Sequence, residues 1–231
     1  MIGLTGSTGH LGQAIMKLNP DIEPLDKELP TRPIQTLIHT AAPNWKNDTA
    51  VHQFDEYNKE LIRYITRNKI KTVINVGSWW QYARGNCQDL PYTILKHKQQ
   101  AALSDLDIKL ITIIPFSIYG DQPRPGRGFI PQLIQAINNK TSLQGLSNQP
   151  RDFIHVNDVA TACLHATNQK EGIYVAATRH TSSPKEIAKR YEIEAPDYPE
   201  HPTATPRYFN YWLPGWKPRT ALHKHIKNAI R

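Results

Sequence analysis

The chain has 231 residues, an ordinary apolar content of 39% and a net charge of +8, enough for one good core with a small second lobe. No apolar run is long enough to span a bilayer, and Met1-Ile2 leads straight into a glycine loop without a basic or apolar leader, so neither a membrane span nor a signal peptide is expected. Cys87 and Cys163 fit no metal spacing and no disulfide framework; they read as small, partly buried apolar residues of a protein in a reducing, cytoplasmic compartment.

Ile2–Thr5 is a short apolar run stopped by glycine and reads as a strand. His10–Leu18 carries Leu11, Ala14, Ile15 and Leu18 at helical spacing and stops at Asn19-Pro20. Ile22–Leu25 is a second strand, and charged, Pro-rich sequence then runs to Pro33. Thr36–Thr40 is a third strand, ending in Ala41-Ala42-Pro43. A long helix from about Thr49 to Asn68 puts Val51, Phe54, Leu61, Ile62 and Ile65 on or near one face. Thr72–Val76 and Lys109–Ile114 read as strands, and Pro91–Leu103, Phe129–Asn138 and Asn157–Ala166 as helices. Strands alternating with helices, several of them continuously apolar, predict a parallel sheet covered on both faces. From Glu194 to Pro218 the chain is rich in Pro and aromatic residues (Tyr198, Tyr208, Phe209, Tyr211, Trp212, Trp216), an irregular segment whose rings are expected mostly to pack over the core.

The positive charge fits either a nucleic-acid face or a pocket for a small polyanion. Lys and Arg are scattered, with a mild cluster only at Lys217–Arg231, which argues against nucleic acid as a partner.

Chemistry enters at Gly6-Ser7-Thr8-Gly9-His10-Leu11-Gly12, between the first strand and the first helix. Glycine permits positive φ and close backbone approach, and a helix N-terminus offers free N–H groups to a pyrophosphate. Asp26 follows 20 positions after Gly6, where a carboxylate would hold a ribose 2′-hydroxyl; Lys27 beside it would instead suit a 2′-phosphate. NAD and NADP therefore both stay open, with NAD slightly preferred.

Further along come Ile38-His39-Thr40-Ala41-Ala42, Ser78 just after the strand ending at Val76, and Tyr92-Thr93-Ile94-Leu95-Lys96 behind Pro91. Arg151-Asp152-Phe153-Ile154-His155-Val156-Asn157-Asp158 and Leu213-Pro214-Gly215-Trp216-Lys217-Pro218 follow. With the three-residue glycine spacing, these motifs in this order resemble the extended short-chain dehydrogenases/reductases, the NAD-dependent epimerase/dehydratase family of nucleotide-sugar enzymes. The resemblance runs from residue 1 to about 228. It implies a Rossmann-like doubly wound α/β fold, with residues 1–120 as dinucleotide-binding core, 151–176 returning to it, and 121–150 with 177–231 as a small substrate lobe. It also implies a nucleotide-sugar substrate, a homodimer, and cofactor contacts at residues 6–12, Asp26, Thr40, Ala41, Ala42, Tyr92, Lys96 and Pro115.

By the same resemblance Tyr92 is the acid/base, Lys96 tunes it and holds the nicotinamide ribose, and Ser78 orients the substrate. Tyr92 and Lys96 are four apart and share a helix face. A nearby ammonium favours the phenolate, which predicts a lowered Tyr92 pKa. Trp79, Arg124 and Arg151 are candidate substrate contacts, the arginines as pyrophosphate partners, and Asn58 is a candidate for seating the site.

Dehydratases of this branch carry an Asp-Glu pair after the catalytic Ser or Thr; here Ser78 is followed by Trp79-Trp80-Gln81-Tyr82. The stretches Val76–Tyr82 and Lys96–Gln100 are instead similar to 4-keto-reductases such as the CDP-abequose and CDP-paratose synthases. A nucleotide-sugar reductase is the leading expectation and an epimerase the alternative. A third reading, a non-catalytic dinucleotide sensor or RNA-binding relative, conflicts with the joint presence of Ser78, Tyr92 and Lys96. The sequence departs from the branch in having too little chain between Asp26 and Thr36 for the usual helix and third strand, and in placing Tyr92 only fourteen positions after Ser78.

Overall fold

The computed structural model describes residues 1–25, 33–41, 49–120, 128–197 and 211–230, with the side chains of 49–52 left out. Strands β1 (Ile2–Thr5), β2 (Glu23–Pro24), β3 (Thr36–His39), β4 (Thr72–Val76), β5 (Lys109–Pro115) and β8 (Gly172–Ala176) form one parallel sheet in the order β2-β1-β3-β4-β5-β8. The chain leaves β1 through α1 (His10–Leu18) to β2 on one side, then resumes on the other side of β1 with β3. That reversal opens a crevice at the C-terminal ends of β1 and β3, where open α/β sheets bind their ligands. The fold is the Rossmann-like doubly wound α/β sheet that the resemblance implies, and the strand and helix pattern predicts its parallel sheet covered on both faces. Among the described residues, β2 is the edge strand on this side, in keeping with the short stretch before Thr36.

Alternation along the strands assigns the two faces. Ile38, Ile74, Ile111 and Ile113 pack with Leu11 and Ile15 of α1 and with Val159, Ala160 and Cys163 of α5 (Val156–Ala166). Leu37, Val73 and Leu110 turn the other way, under Leu61 and Ile65 of α2 (Thr49–Arg67) and Leu103 of α3 (Pro91–Ser104). α3 starts with Pro91 in its first turn, where a missing N–H costs nothing. Both cysteines are buried and free, and burial pushes Cys163 up to about 12.

A second core gathers Tyr119, Ile130, Leu133, Leu146, Phe153, Ile187, Ala188 and Ile226. It is covered by α4 (Phe129–Asn139), α6 (Pro184–Arg190) and α7 (Leu222–Ala229), with a small sheet of β6 (Ser117–Tyr119), β7 (Arg151–His155) and β9 (Thr181–Ser182). The return at residue 151 differs from expectation in one respect. β7 pairs with β6 and β9 in the small sheet, and only from α5 onward does the chain rejoin the large one. Asp152 ties the two together: its buried carboxylate accepts from Thr178 N (2.9 Å), Thr178 Oγ1 (2.8 Å) and Arg179 N (2.7 Å) just beyond β8. Asp158 does the same for the C-terminal segment, accepting from the backbone N–H groups of Arg219 and Thr220 (2.9 Å each). Trp216 Nε1 donates to Thr161 Oγ1 (3.1 Å) and Trp212 lies under the Arg179 guanidinium (3.7 Å), so these two rings pack as expected, whereas Tyr211 is 66% exposed. Tyr198, Tyr208 and Phe209 lie outside the described residues.

Candidate active site

The glycine turn sits at the crevice. Gly6 has φ +75, and a Cβ there would lie 2.7 Å from Ala41 N; a Cβ on Gly12 would lie 2.0 Å from Gly6 O. Both positions thus exclude any side chain, the first because strand ends β1 and β3 converge, the second because α1 starts against the turn. Thr40 locks the convergence by donating from Oγ1 to Thr5 O at 2.9 Å. Gly9 precedes α1 without a side-chain cap, and no acidic residue stands in that helix's first turn. Ser7, Thr8, His10 and Leu11 complete a loop whose backbone N–H groups and helix dipole suit an anion, so residues 6–12 fit a dinucleotide pyrophosphate. Ala41 closes the opposite wall, and Pro115 ends β5 on the same edge of the sheet, paired with Ala176. Asp26 and Ala42 lie outside the described residues, as does Arg124.

Ser78 follows β4 at this edge and is 8% exposed. It caps a short 3-10 helix (Trp79–Gln81): Trp80 N donates to Ser78 Oγ (3.4 Å) while Ser78 N donates to Gln81 Oε1 (2.8 Å). The cap fixes the serine's rotamer, and its hydroxyl lies beside the partly buried Tyr92 phenol, where it favours the phenolate. Trp80 meets the Tyr92 ring edge-on, 6.1 Å between centroids. Burial pushes the phenol above its ordinary value, and the Ser78 hydroxyl only offsets this in part. The lowered pKa expected from Lys96 is therefore corrected: the ammonium is engaged by Val76 O (2.9 Å) and Gln99 Oε1 (3.3 Å). Burial lowers Lys96 to about 8. Ser78, Tyr92 and Lys96 are thus brought together at the strand end beside the glycine turn.

Trp79 departs from its expected place among substrate contacts. It is 7% exposed and stacked on Phe116 at 5.6 Å, which commits the ring to the core. Arg151 starts β7, two residues before the Ser117↔Phe153 pair, and lines a lobe cavity of about 550 Å3 with Phe129, Gln132 and Leu143. Burial lowers its pKa, yet an arginine stays cationic at neutral pH.

Sequence reasoning gives no role to the His39 ring or to Gln99. His39 is fully buried, with Nδ1 2.6 Å from Thr5 Oγ1 and Nε2 2.9 Å from Gln99 Nε2. Gln99 also donates to Asn58 Oδ1 (3.1 Å), which puts Asn58 behind Lys96. The registers Thr5↔His39, His39↔Asn75 and Asn75↔Thr112 align these side chains in one row on the α2/α3 face. The sequence does carry a signal for this row: Asn58 interrupts the apolar stripe Phe54, Leu61, Ile65, and Thr93, Lys96 and Gln99 recur every three residues on α3.

The family model described as NAD dependent epimerase/dehydratase family matches residues 19–177. No curated protein matches the chain. Among solved structures, the chain is similar to a UDP-N-acetylglucosamine 4-epimerase from Bacillus cereus (TM-score 0.76, 13% identity, covering 99% of this chain and 94% of that one). It is also similar to the Bordetella bronchiseptica enzyme WbmG in complex with NAD and UDP (0.72, 18%, 99% and 92%). A third similar structure is Pal from Bacillus thuringiensis (0.80, 16%, 99% and 97%). At these identities the likeness concerns the fold.

Proposed function

The chain belongs to the NAD dependent epimerase/dehydratase family, and from that premise we propose that it transfers hydride between NAD and a carbon of a nucleotide-activated sugar, with reduction of a 4-keto-6-deoxy sugar as the net reaction. The observation that carries this reading is the Ser78 hydroxyl beside the Tyr92 phenol at the C-terminal end of β4, with Lys96 one helical turn further along α3. Residues 6–12, Thr40, Ala41 and Pro115 would hold the dinucleotide, and Asp26 and Ala42 are further candidates for it by the motif they belong to. NAD is preferred over NADP, in line with a structural neighbour bound to NAD. When bound, the nicotinamide supplies the hydride. Ser78 holds the sugar oxygen toward Tyr92, and Tyr92 gives its phenolic proton to that oxygen in reduction and takes one back in the reverse direction. A positive charge at Lys96 next to the ribose would draw the Tyr92 pKa down from its buried value.

With 121–150 and 177–231 as the substrate lobe, Arg151 at its border with the core would pair with the substrate pyrophosphate, and Arg124 is a second candidate for that role. Reduction rather than dehydration is supported by the residues after Ser78, which offer no carboxylate. The segment between Ser78 and Tyr92 is also tied down: Gln88 Nε2 donates to Trp80 O (2.6 Å) and Ala83 O (2.8 Å), and the Tyr82 phenol to Gln100 Oε1 (3.0 Å). A short, pinned wall limits the room in which a keto-sugar could turn over. Epimerisation is the second reading, favoured by the 4-epimerases among the structural neighbours. The test is incubation with reduced cofactor and a UDP- or CDP-linked 4-keto-6-deoxy sugar. Net loss of nicotinamide absorbance is expected; sugar interconversion without net oxidation would move the assignment to epimerase, and no reaction with either class would overturn both.

A homodimer through α2 and α3 is the expected assembly. Exposed ion pairs Glu56–Lys59 and Glu60–Arg63 make the outer face of α2 a polar one. Among the described residues no helix is long and apolar enough to cross a membrane, and the two buried free thiols suit a reducing cytoplasm.

A further inference from the structure

We propose that Gln99 is a positioning residue whose side-chain amide clamps Lys96, His39 and Asn58 and so sets the direction of the Lys96 ammonium. The inference rests on the catalytic reading of Lys96. Only one orientation of the amide avoids facing like against like: Oε1 accepts from Lys96 Nζ, and Nε2 donates to both His39 Nε2 and Asn58 Oδ1. His39 Nε2 must then be an acceptor, so its proton sits on Nδ1 and is donated to Thr5 Oγ1. The histidine is thereby held as one neutral tautomer, a state that burial and the Lys96 charge both enforce by lowering it to about 3.

The clamp accounts for a buried ammonium that has no carboxylate beside it among the described residues. The titratable group facing Lys96 from another element is His39 of β3, with Tyr57 of α2 stacked on His39 at 5.8 Å, and Tyr92 lies one turn away on its own helix. Among the described residues the ion pairs are all elsewhere, on α2 and at Lys185–Asp197. Two neutral acceptors, Val76 O and Gln99 Oε1, therefore hold the ammonium through two of its three hydrogens. A carboxylate in place of the amide would pin the charge inward; an apolar side chain would release it.

The test compares Gln99→Met and Gln99→Glu with the wild type. Met removes every hydrogen bond at similar length, and kcat should fall roughly 10- to 100-fold, the loss that follows from deleting a hydrogen bond to a charged group. The alkaline limb of the kcat–pH profile should move down by about one pH unit in Gln99→Met and up in Gln99→Glu. A purely structural residue would lower thermal stability without moving the limb in opposite directions. The second arm needs no turnover and no variant: nitrogen-15 NMR of histidine-labelled wild type should show the histidine next to Tyr57 as a neutral Nδ1–H tautomer at neutral pH. A cationic or Nε2–H His39, or two folded variants with the wild-type pH profile, overturns the clamp. If the wild type turns over no nucleotide sugar, the catalytic reading fails while the tautomer still decides the clamp.

Discussion

The two faces of the large sheet are built from the same strands yet serve different ends. Beneath α1 and α5 the contacts are Ile38, Ile74, Ile111, Val159, Ala160, Ala162 and Cys163, an uninterrupted apolar layer. Beneath α2 and α3 only the N-terminal half is apolar, with Leu37, Val73, Leu61, Ile65 and Leu103. Its C-terminal half holds Thr5, His39, Asn75 and Thr112 on the sheet, and Asn58, Thr93, Lys96 and Gln99 on the helices. Buried polar layers are costly unless paired. This one is confined to the end of the sheet where the glycine turn and Ser78 lie. The contrast teaches that the first face secures the fold, while the second gives up apolar burial for a polar layer around the buried Lys96.

Substitutions on the two faces should therefore separate activity from stability. The largest effect is expected at the site itself: Tyr92→Phe should reduce turnover by ~10²–10⁴-fold, the range for losing a general acid, with cofactor affinity by calorimetry unchanged. A wild-type rate in that variant would remove the phenol from the mechanism.

Next is the pH dependence of the polar layer. His39 titrates near 3 when folded and 6.5 when unfolded, so between those values the unfolded chain binds the extra proton. Stability from this group is complete above pH 6.5 and falls as pH drops toward 3, by at most ~1.4 kcal/mol per pH unit. Urea denaturation across that window should show the slope in wild type and a flatter one in His39→Gln. Equal slopes would mean that His39 is not held neutral.

The smallest effect belongs to the apolar face. Ile111→Val should cost ~0.5–1.5 kcal/mol of stability with kcat unchanged for the folded enzyme. A loss of turnover there at full folding would break the division between the faces.

Much of this division is legible in the sequence. β1, β3, β4, β5, α1 and α3 lie where apolar period and punctuation place them, because glycine, proline and a buried stripe act locally. β7, β8, α6 and α7 escape a reading by periodicity, since short elements show too few repeats to stand out. α6 nonetheless carries a signal in Ser183-Pro184-Lys185-Glu186, and the structure has the capping box there. Ser78, Tyr92 and Lys96, the proposed catalytic residues, are visible through the motifs that carry the family resemblance. Trp79 is not, because an aromatic residue next to a site residue looks the same in sequence whether it faces substrate or Phe116.

The chain order by itself thus determined a glycine turn at Gly6–Gly12, a parallel α/β sheet, and a Tyr92–Lys96 pair on one helix face. Those are properties of residues a few positions apart, set by backbone sterics and helical period. Only the tertiary structure decided that the Lys96 ammonium turns toward Val76 and Gln99, that His39 is kept neutral, and that burial raises the Tyr92 phenol. These depend on which groups from β3, β4, α2 and α3 share one dry layer. Desolvation and hydrogen-bond direction arise there between residues as many as 60 positions apart.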